Sequence, residues 1–548
     1  MSDIAIVYAI LAVAVLLFVS GRVPVGLVAI GVALALWATG ILPLAMALSG
    51  FGDPTVLFIA SLFVVSEGLD ATGVTAWAGA QLVERAGQGR SRLVLFTMLL
   101  VAALTAVISV NGAVAALLPV VVVIAVRTGR APSQLLMPLV FGAHAGSMLT
   151  LTGTPVNVIV SNYALELTGH GFGFFEFALA GMPLLLGAIA VVLLLGPRLL
   201  PERKPRAMPA DLSRHARTLV DQYGLADSDV ARRVVAGAAG ASDPGTGTVS
   251  THLDLATALV NRSSGIAEVM IPPRSPLIGE TAFPGMVTES GDVVVLAVAR
   301  GGEELGPREI RLAAGDILLL QGTWDAIEAH AGDRSVLAVD SPEVVRRQAV
   351  PLGRGAGRAI AILVGMIVAL ATGIVPSAVA GLVAAGLLVL LRVLSVEAAY
   401  RGISWTTVVL VAGMIPLSTA MTQTGAAGGI ADALVAVVRP LGPTALLAGL
   451  FLVTAVFGQL ISNMATALIV IPIALAAAAD LGVDVRPVLM SVTIAASAAY
   501  LTPVATPVNL MVMGPAGYRF GDYWKLGLPL LGVTFVVAVL VVPLFWPF

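Results

Sequence analysis

The stretch SAAYLTPVATPVNLMVMG, residues 497–514, lies in the last long apolar region of the chain and decides how that region can fold. It carries Pro503 and Pro507, and a proline inside a helix removes a backbone donor and breaks or kinks the helix. A second stretch, GSMLTLTGTPVNVIVSN at residues 146–162, carries the same Thr-Pro-Val-Asn sequence 352 residues earlier. Two copies in register indicate a broken membrane helix that occurs twice.

The composition is that of a polytopic membrane protein. Apolar residues make up 58% of the 548 residues and charged residues only 11%, whereas soluble domains carry about 25% charged residues. A net charge of −2 gives no reason to expect a nucleic-acid partner, and the absence of cysteine excludes disulfides and Cys-ligated metals. The N-terminal apolar run has no preceding basic region and no cleavage pattern, so it predicts a first membrane helix.

Apolar runs long enough to span a bilayer fall into two blocks, residues 1–200 and 358–548. In each block we predict one re-entrant hairpin, at 93–126 and at 444–479. The basic residues that flank the spans then fall almost entirely on one face, which predicts a cytoplasmic insert at 201–357 and both termini outside. The whole is a multi-pass protein of a prokaryotic-type inner membrane with ten spanning segments.

The two blocks look like repeats of each other. Ser462 follows Ser109 by 353 residues, and Asp522 follows Glu176 by 346 residues. Nearly constant offsets over more than a hundred residues predict an internal repeat. Because the first hairpin enters from the inside and the second from the outside, the repeats are predicted to be inverted, an arrangement typical of secondary transporters.

Each predicted hairpin has a polar tip, Ser109-Val110-Asn111 in the first half and Ser462-Asn463-Met464 in the second. Ser and Asn are favoured helix N-caps, so we expect the second arm of each hairpin to begin there. A helix that begins at mid-membrane offers free N–H groups and partial positive charge to an anion. The proline breaks free backbone carbonyls, which lipid does not tolerate unless they line a site.

The segments around these breaks carry no Lys, Arg, Asp or Glu; they are 93–126, 131–163, 443–479 and 487–518. An anion bound there has no charged side chain to pair with, and burying an unpaired charge is costly. The substrate is therefore neutral, or it binds together with cations that neutralise it. His144 is the one titratable group in these segments, with Ala496 at the corresponding position, and we consider a proton or substrate role for it beside a purely structural one.

The tips and the TLTGTPVN and AASAAYLTPVATPVN stretches (150–157 and 495–509) resemble the divalent anion/sodium symporter (DASS) family. The resemblance implies an α-helical protein of the ion-transporter superfamily with two inverted repeats, re-entrant hairpins and broken helices, working as a homodimer by an elevator motion. It implies substrate binding by Ser109, Asn111, Ser462, Asn463, Thr154, Pro155, Thr506 and Pro507. It implies sodium binding by Ser109, Asn111, Gly146, Ser462, Asn463 and Ala498.

The family carries Ser-Asn-Thr at each tip, and this chain departs from that triplet at Val110, Asn111 and Met464. The missing threonine hydroxyls would face the carboxylates of a dicarboxylate substrate, so their absence favours sulfate.

The insert divides into a linker or degenerate module at 201–265 and a β-rich part at 266–340. The stretches EVMIPPRSPLIGETA, VVVLAVARGGEEL and AAGDILLLQG of the second part resemble the TrkA-C (RCK-C) ligand-binding module, a small α+β domain. The resemblance implies a regulatory small-molecule ligand, and a dimerising scaffold is the alternative.

The sequence therefore predicts a sodium-coupled importer of a divalent anion, sulfate before C4-dicarboxylates, with sodium as the coupling ion and no cofactor. A proton-linked exporter of arsenite or sodium is a second hypothesis, and it would depend on His144 or Glu67. A third is a non-transporting anion sensor. No Ser/His/Asp set, paired acids or phosphate loop is found at the breaks, so an enzyme is not expected.

Overall fold

The computed structural model describes these residues: 2–75, 77, 89–128, 130–203, 264–273, 275–287, 293–300, 303–305, 308–323, 326–327, 336–338 and 355–548. The chain divides into two compact units, a helical unit formed by Met1–Met208 with Arg354–Phe548 and an inserted unit formed by Pro209–Gly353. Most of the predicted linker or degenerate module at 201–265 lies outside the described residues.

The first half of the helical unit contains nine described helices. They are α1 Asp3–Ser20, α2 Val25–Ala38, α3 Leu44–Ala47, α4 Pro54–Ala71, α5 Arg90–Thr105, α6 Val110–Arg127, α7 Ser133–Gly146, α8 Pro155–Thr168 and α9 Ala178–Leu199.

The second half contains helices in the same order. They are α10 Ala356–Thr372, α11 Ser377–Leu390, α12 Val396–Gly402, α13 Trp405–Gln423, α14 Ala426–Val438, α15 Pro443–Leu460, α16 Asn463–Leu481, α17 Val485–Ser497, α18 Pro507–Ala516, α19 Tyr523–Val536 and α20 Val542–Phe545, with a π-helical turn at Val537–Val541 between the last two.

The helices are interrupted at the positions predicted from the sequence. The predicted hairpin regions are the helix pairs α5–α6 and α15–α16, whose arms contact each other. The predicted proline breaks separate α7 from α8 and α17 from α18. A proline at the first position of α8 and of α18 suits a helix start, where the missing N–H would have no partner in any case.

Contacts between the halves are reciprocal. Helix α2 of the first half packs on α13 of the second, and α11 of the second half packs on α4 of the first. In the same way α7 packs on α18 and α17 packs on α8, while α9 and α19 pack on each other. Each half is therefore completed by helices of the other, and the apolar core of the unit is shared between them.

Two ion pairs also join the halves. Arg203 donates to Asp522 through Nε at 2.8 Å, and Arg486 pairs with Glu176. The Glu176 carboxylate also accepts a hydrogen bond from the indole Nε1 of Trp546 at 2.8 Å. The two carboxylates precede α19 and α9, so each half contributes one acid to a base of the other half.

Seven helical stretches of the described chain are long and apolar enough to cross a membrane, namely Asp3–Ser20, Pro54–Ala71, Ala178–Leu199, Trp405–Gln423, Pro443–Leu460, Asn463–Leu481 and Phe520–Phe545. Two of the seven, Pro443–Leu460 and Asn463–Leu481, are the arms of the hairpin predicted at 444–479, so length and composition alone do not separate them from spanning helices. The other predicted spans include shorter apolar helices such as Val25–Ala38 and Ser377–Leu390 and the two broken segments.

The inserted unit contains a five-stranded antiparallel sheet in the order β4-β3-β6-β1-β7 and a two-stranded sheet of β2 and β5. Its strands are β1 Ser264–Met270, β2 Thr281–Ala282, β3 Val293–Arg300, β4 Glu303–Glu304, β5 Ile310–Arg311, β6 Ile317–Thr323 and β7 Leu337–Ala338. Val269, Val295 and Leu320 pack into its small core. Arg300 pairs with the buried carboxylate of Asp316 at 2.6 Å.

Candidate functional site

One cavity of the helical unit brings the two hairpin tips and the two broken segments together. Its volume is about 510 Å³, and no Lys, Arg, Asp or Glu of the described chain lines it. All the residues predicted to bind substrate line this cavity, and His144 lines it as well; the predicted set is Ser109, Asn111, Thr154, Pro155, Ser462, Asn463, Thr506 and Pro507.

The hairpin tips are built as N-caps. The hydroxyl of Ser109 accepts a hydrogen bond at 3.2 Å from the backbone N–H three residues further on, and the hydroxyl of Ser462 does so at 3.3 Å. Helices α6 and α16 begin directly after these serines, as predicted. The following residues add one asparagine per tip to the cavity, Asn111 in the first half and Asn463 in the second.

The broken segments are held open by a matched pair of asparagines. The side-chain amide of Asn157 donates to the carbonyl oxygens ten and seven residues earlier, at 3.0 and 2.8 Å. The amide of Asn509 makes the same two bonds at 2.7 and 2.9 Å. Both side chains are completely buried. The Asn of Thr-Pro-Val-Asn therefore pairs carbonyls that the helix break leaves without intrahelical partners.

Each broken segment is also tied to the hairpin of its own half. Thr150 donates its hydroxyl to the carbonyl oxygen of Ala106, and Thr502 donates to the carbonyl oxygen of Gln459 at 3.3 Å. In the second half the side chain of Gln459 adds two bonds, from Nε2 to the carbonyl oxygen of Ala498 and from the backbone N–H of Leu501 to Oε1, both at 2.9 Å.

Gln459 was not among the residues predicted for the site. The available signal was its position as a polar side chain in an apolar run, three residues before Ser462. Thr406 and Thr407, in the first turn of α13, line the cavity and were also missed.

Both N-terminal and C-terminal ends of helices lie at the cavity. Four helices that follow a break, α6, α8, α16 and α18, present N-terminal residues to it. The residues that follow the C-terminal ends of α5, α7 and α15, and the last residue of α17, line it too; they are Val107, Ser147, Ile461 and Ser497. Helix N-termini carry partial positive charge and C-termini partial negative charge, so the uncharged cavity offers stabilisation to ions of both signs.

Two oxygen atoms of the cavity-lining residues have no hydrogen-bond partner although they are buried. These are Oδ1 of Asn463 and Oγ1 of Thr506, both in the second half. In the first half the corresponding Oγ1 of Thr154 accepts from the backbone N–H of Val156 at 3.4 Å. Buried polar atoms are nearly always paired, so these two oxygens beside the cavity are candidate ligands for a bound ion.

His144 makes the two halves unequal. Its side chain is 3% exposed, and its Nε2 atom lies 3.3 Å from Oδ1 of Asn509. Its ring contacts the ring of Tyr500 edge-to-face with a centroid distance of 5.8 Å. The corresponding position in the second half is Ala496. The contact with Asn509 gives His144 a structural function, and its proton or substrate role stays a prediction.

Gly146 and Ala498 lie outside the cavity lining. A Cβ atom on Gly146 would lie 2.3 Å from the Cα atom of Ala102, so the glycine is needed for the close packing of α7 on α5. The carbonyl oxygen of Ala498 accepts from Gln459. Sodium binding by these two backbone oxygens stays a prediction.

An apolar helical unit with an uncharged cavity at its helix breaks is typical of a multi-pass membrane transporter. The chain belongs to the CitMHS family: the family model, described as citrate transporter, matches residues 15–488 and 441–547. It is therefore a transporter and not an enzyme.

Three relatives are informative. An uncharacterised transporter of Escherichia coli K12, YfbS, is 34% identical over 99% of this chain and 99% of its own length. A putative sulfur deprivation response regulator of Chlamydomonas reinhardtii is 26% identical over 92% of this chain and 95% of its own. A probable sodium/sulfate cotransporter 3 of the same alga is 30% identical over 30% of this chain and 19% of its own.

Proposed function

We propose that the protein is a sodium-coupled secondary transporter that imports a small divalent anion, with sulfate as the favoured substrate. The observation that carries this proposal is the charge-free cavity on which both hairpin tips and both broken segments converge. Alternating access through inverted repeats, as in other secondary transporters, is part of the proposal. The reciprocal packing of α2 on α13 and of α11 on α4 supports it.

Anion binding is assigned to the helix N-termini at the cavity. Ser109 and Ser462 cap α6 and α16, and the N-terminal residues Thr154 and Thr506 precede α8 and α18. Free backbone N–H groups and aligned peptide dipoles bind oxyanions at such positions without any basic side chain. Four N-termini around one cavity suit a doubly charged oxyanion.

Cation binding follows from the charge balance. A divalent anion in a cavity without basic side chains would be an uncompensated buried charge. Sodium ions bound to oxygen atoms would neutralise it. The unpaired Oδ1 of Asn463 and Oγ1 of Thr506, together with the helix C-termini, offer the oxygen ligands that hard cations prefer. Binding of anion and sodium is then mutually dependent, which is the physical basis of symport.

The preference for sulfate rests on two observations. Val110 and Met464 line the cavity at tip positions where a hydroxyl or amide would be expected for a carboxylate ligand. A relative that matches part of this chain is named a sodium/sulfate cotransporter. A C4-dicarboxylate is the second substrate class we propose, and citrate, named in the family description, belongs in the same test.

The remaining elements of the proposal concern assembly and regulation. We propose a homodimer with both termini outside, moving the cavity by an elevator motion, and a cytoplasmic RCK-C-like insert that senses a small molecule. The five-stranded antiparallel sheet of the inserted unit supports a folded regulatory module. A non-transporting anion sensor is a second candidate function, favoured by the relative named as a response regulator.

The test is uptake by proteoliposomes of the full-length protein. We expect labelled sulfate to accumulate with an inward sodium gradient, and succinate and citrate to compete more weakly. Uptake that is equal without sodium would refute coupling. Sodium-dependent binding of sulfate without flux would favour the sensor, and neither binding nor uptake of any of the three anions would refute the substrate assignment.

A further inference from the structure

Two adjacent side chains in the middle of α8, Asn162 and Tyr163, bond to helices of both halves. The side-chain amide of Asn162 donates to the hydroxyl of Thr55 at the start of α4. The hydroxyl of Tyr163 donates to the hydroxyl of Ser418 in α13 at 2.7 Å. These four residues are called the latch below. Because neighbouring residues of one helix reach both, Thr55 and Ser418 lie at the same end of the helical unit.

The latch lies at the end away from the cavity. On α13 the cavity is lined by Thr406, Thr407 and Leu410, whereas Ser418 lies eight residues further along, about 12 Å at 1.5 Å per residue. On α4 the cavity is lined from Ile59 onward, beyond Thr55. The cavity therefore lies towards the end where α13 begins, and the latch lies towards the opposite end.

The second half has no copy of the latch. The residues that follow Asn162 and Tyr163 by 352 positions are Gly514 and Pro515 in α18. Neither has a side chain that can donate a hydrogen bond. Thr407 corresponds to Thr55 in the same way, and it lines the cavity. The latch therefore has no counterpart at the corresponding positions, although the helices around them correspond one to one.

We propose that Asn162 and Tyr163 hold the path shut at the Thr55–Ser418 end and so stabilise the state in which the cavity opens at the other end. This inference rests on the proposed alternating-access transport. For access to change sides, α8 must move relative to α4 and α13, and both latch bonds must break. Since Gly514 and Pro515, at the corresponding positions, can form no such side-chain bonds, the latch biases the equilibrium between the two states in one direction.

The test uses the absence of native cysteine, which allows single introduced thiols to report accessibility. Val411 is completely buried, and its counterpart 352 residues earlier, Ile59, lines the cavity. When access changes sides, Val411 should line the path instead. We therefore expect Val411→Cys to react slowly with the permeant reagent N-ethylmaleimide in proteoliposomes, because the open-latch state is the minor one.

Breaking one latch bond should increase that minor state. In the Val411→Cys background, Tyr163→Phe should raise the labelling rate by roughly fivefold, the population shift expected for one lost hydrogen bond. Asn162→Ala should act in the same direction, and the two changes together should exceed either alone. The matched control is Tyr8→Phe, which removes a tyrosine hydroxyl that bonds the carbonyl oxygen of Ala426 and none of the latch residues.

Thr407→Cys provides the folding control, since a thiol on the cavity should be labelled in the presence and absence of the latch changes. Unchanged labelling of Val411→Cys in both latch variants, with Thr407→Cys still reactive, would overturn the latch. So would an equal increase with Tyr8→Phe. The labelling requires no substrate, so a failure of sulfate, succinate and citrate uptake would refute the proposed function and leave the latch result standing.

Discussion

The Nε2 atom of His144 lies 3.3 Å from Oδ1 of Asn509, and this contact has no counterpart in the other half. Asn509 and Asn157 both direct Nδ2 at two carbonyl oxygens, so in both residues Oδ1 is the atom that needs a donor. His144 supplies one to Asn509. The equivalent position opposite Asn157 is Ala496, and Oδ1 of Asn157 has no partner.

Replacement of His144 should therefore destabilise the second broken segment. His144→Ala leaves Oδ1 of Asn509 buried without a donor, which typically costs about 1–3 kcal/mol. His144→Gln retains a donor and should lose less. The measurement is the thermal unfolding midpoint of the purified protein in detergent. An alanine variant as stable as the wild type would contradict a structural function for this contact.

Ser462→Ala and Asn463→Ala should each reduce sodium-driven uptake at least about tenfold, because they remove an N-cap or a cavity oxygen needed by the bound ions. Ser491→Ala is the matched control: this hydroxyl is buried and unpaired but does not line the cavity, so its loss should leave uptake unchanged. The measurement is initial uptake rate per folded transporter. Full activity of the Ser462/Asn463 double variant would refute the site.

Gly146→Ala should disrupt the packing of α7 on α5. The added methyl would lie 2.3 Å from the Cα atom of Ala102 and 2.7 Å from its carbonyl oxygen, so backbone must move. Overpacking of this kind costs about 1–3 kcal/mol or more. Gly365→Ala in α10 meets no atom within 4 Å and serves as control. The measurement is the fraction of monodisperse protein after heating, which should be lower for Gly146→Ala than for Gly365→Ala. Equal heat resistance of the two variants would contradict the packing function of Gly146.

The Arg300–Asp316 pair should make the inserted unit sensitive to acid. The hydrogen bonds from Arg300 hold the pKa of Asp316 below its usual value, against the opposing effect of burial. A folded-state pKa below the unfolded value adds stability at neutral pH, and this contribution is lost as the pH falls below about 4 through the folded-state pKa.

Asp316→Asn should therefore speed hydrogen exchange of β3 and β6 at neutral pH in the full-length protein, with rates corrected for their intrinsic pH dependence. The difference from the wild type should narrow as the pH falls. A difference that stays constant with pH would show that the carboxylate charge is not the stabilising feature.

Local features could be predicted from the sequence because their causes are local. Pro155, Pro507, Ser109 and Ser462 decide where helices begin, and the helices begin directly at or after them. All four positions line one cavity, and their grouping in one binding set was an implication of the family resemblance and not of a local cause.

Features that depend on packing between distant helices could not be predicted. Gln459 bonds Ala498 across 39 residues, and Tyr163 bonds Ser418 across 255; no periodicity or propensity encodes either distance. The same holds for Gly146, whose close approach to Ala102 arises from the geometry of the α5–α7 crossing and not from any turn.

Helix α8 connects the cavity to the latch. Its N-cap Thr154 and its first residue Pro155 line the cavity, and Tyr163 bonds Ser418 of the latch. The helix is continuous from Pro155 to Thr168, so these positions are joined by a rigid rod about 12 Å long. A displacement of Pro155 by a bound ion must also displace Tyr163. In the proposed mechanism α8 therefore couples occupancy of the cavity to breaking of the latch bonds.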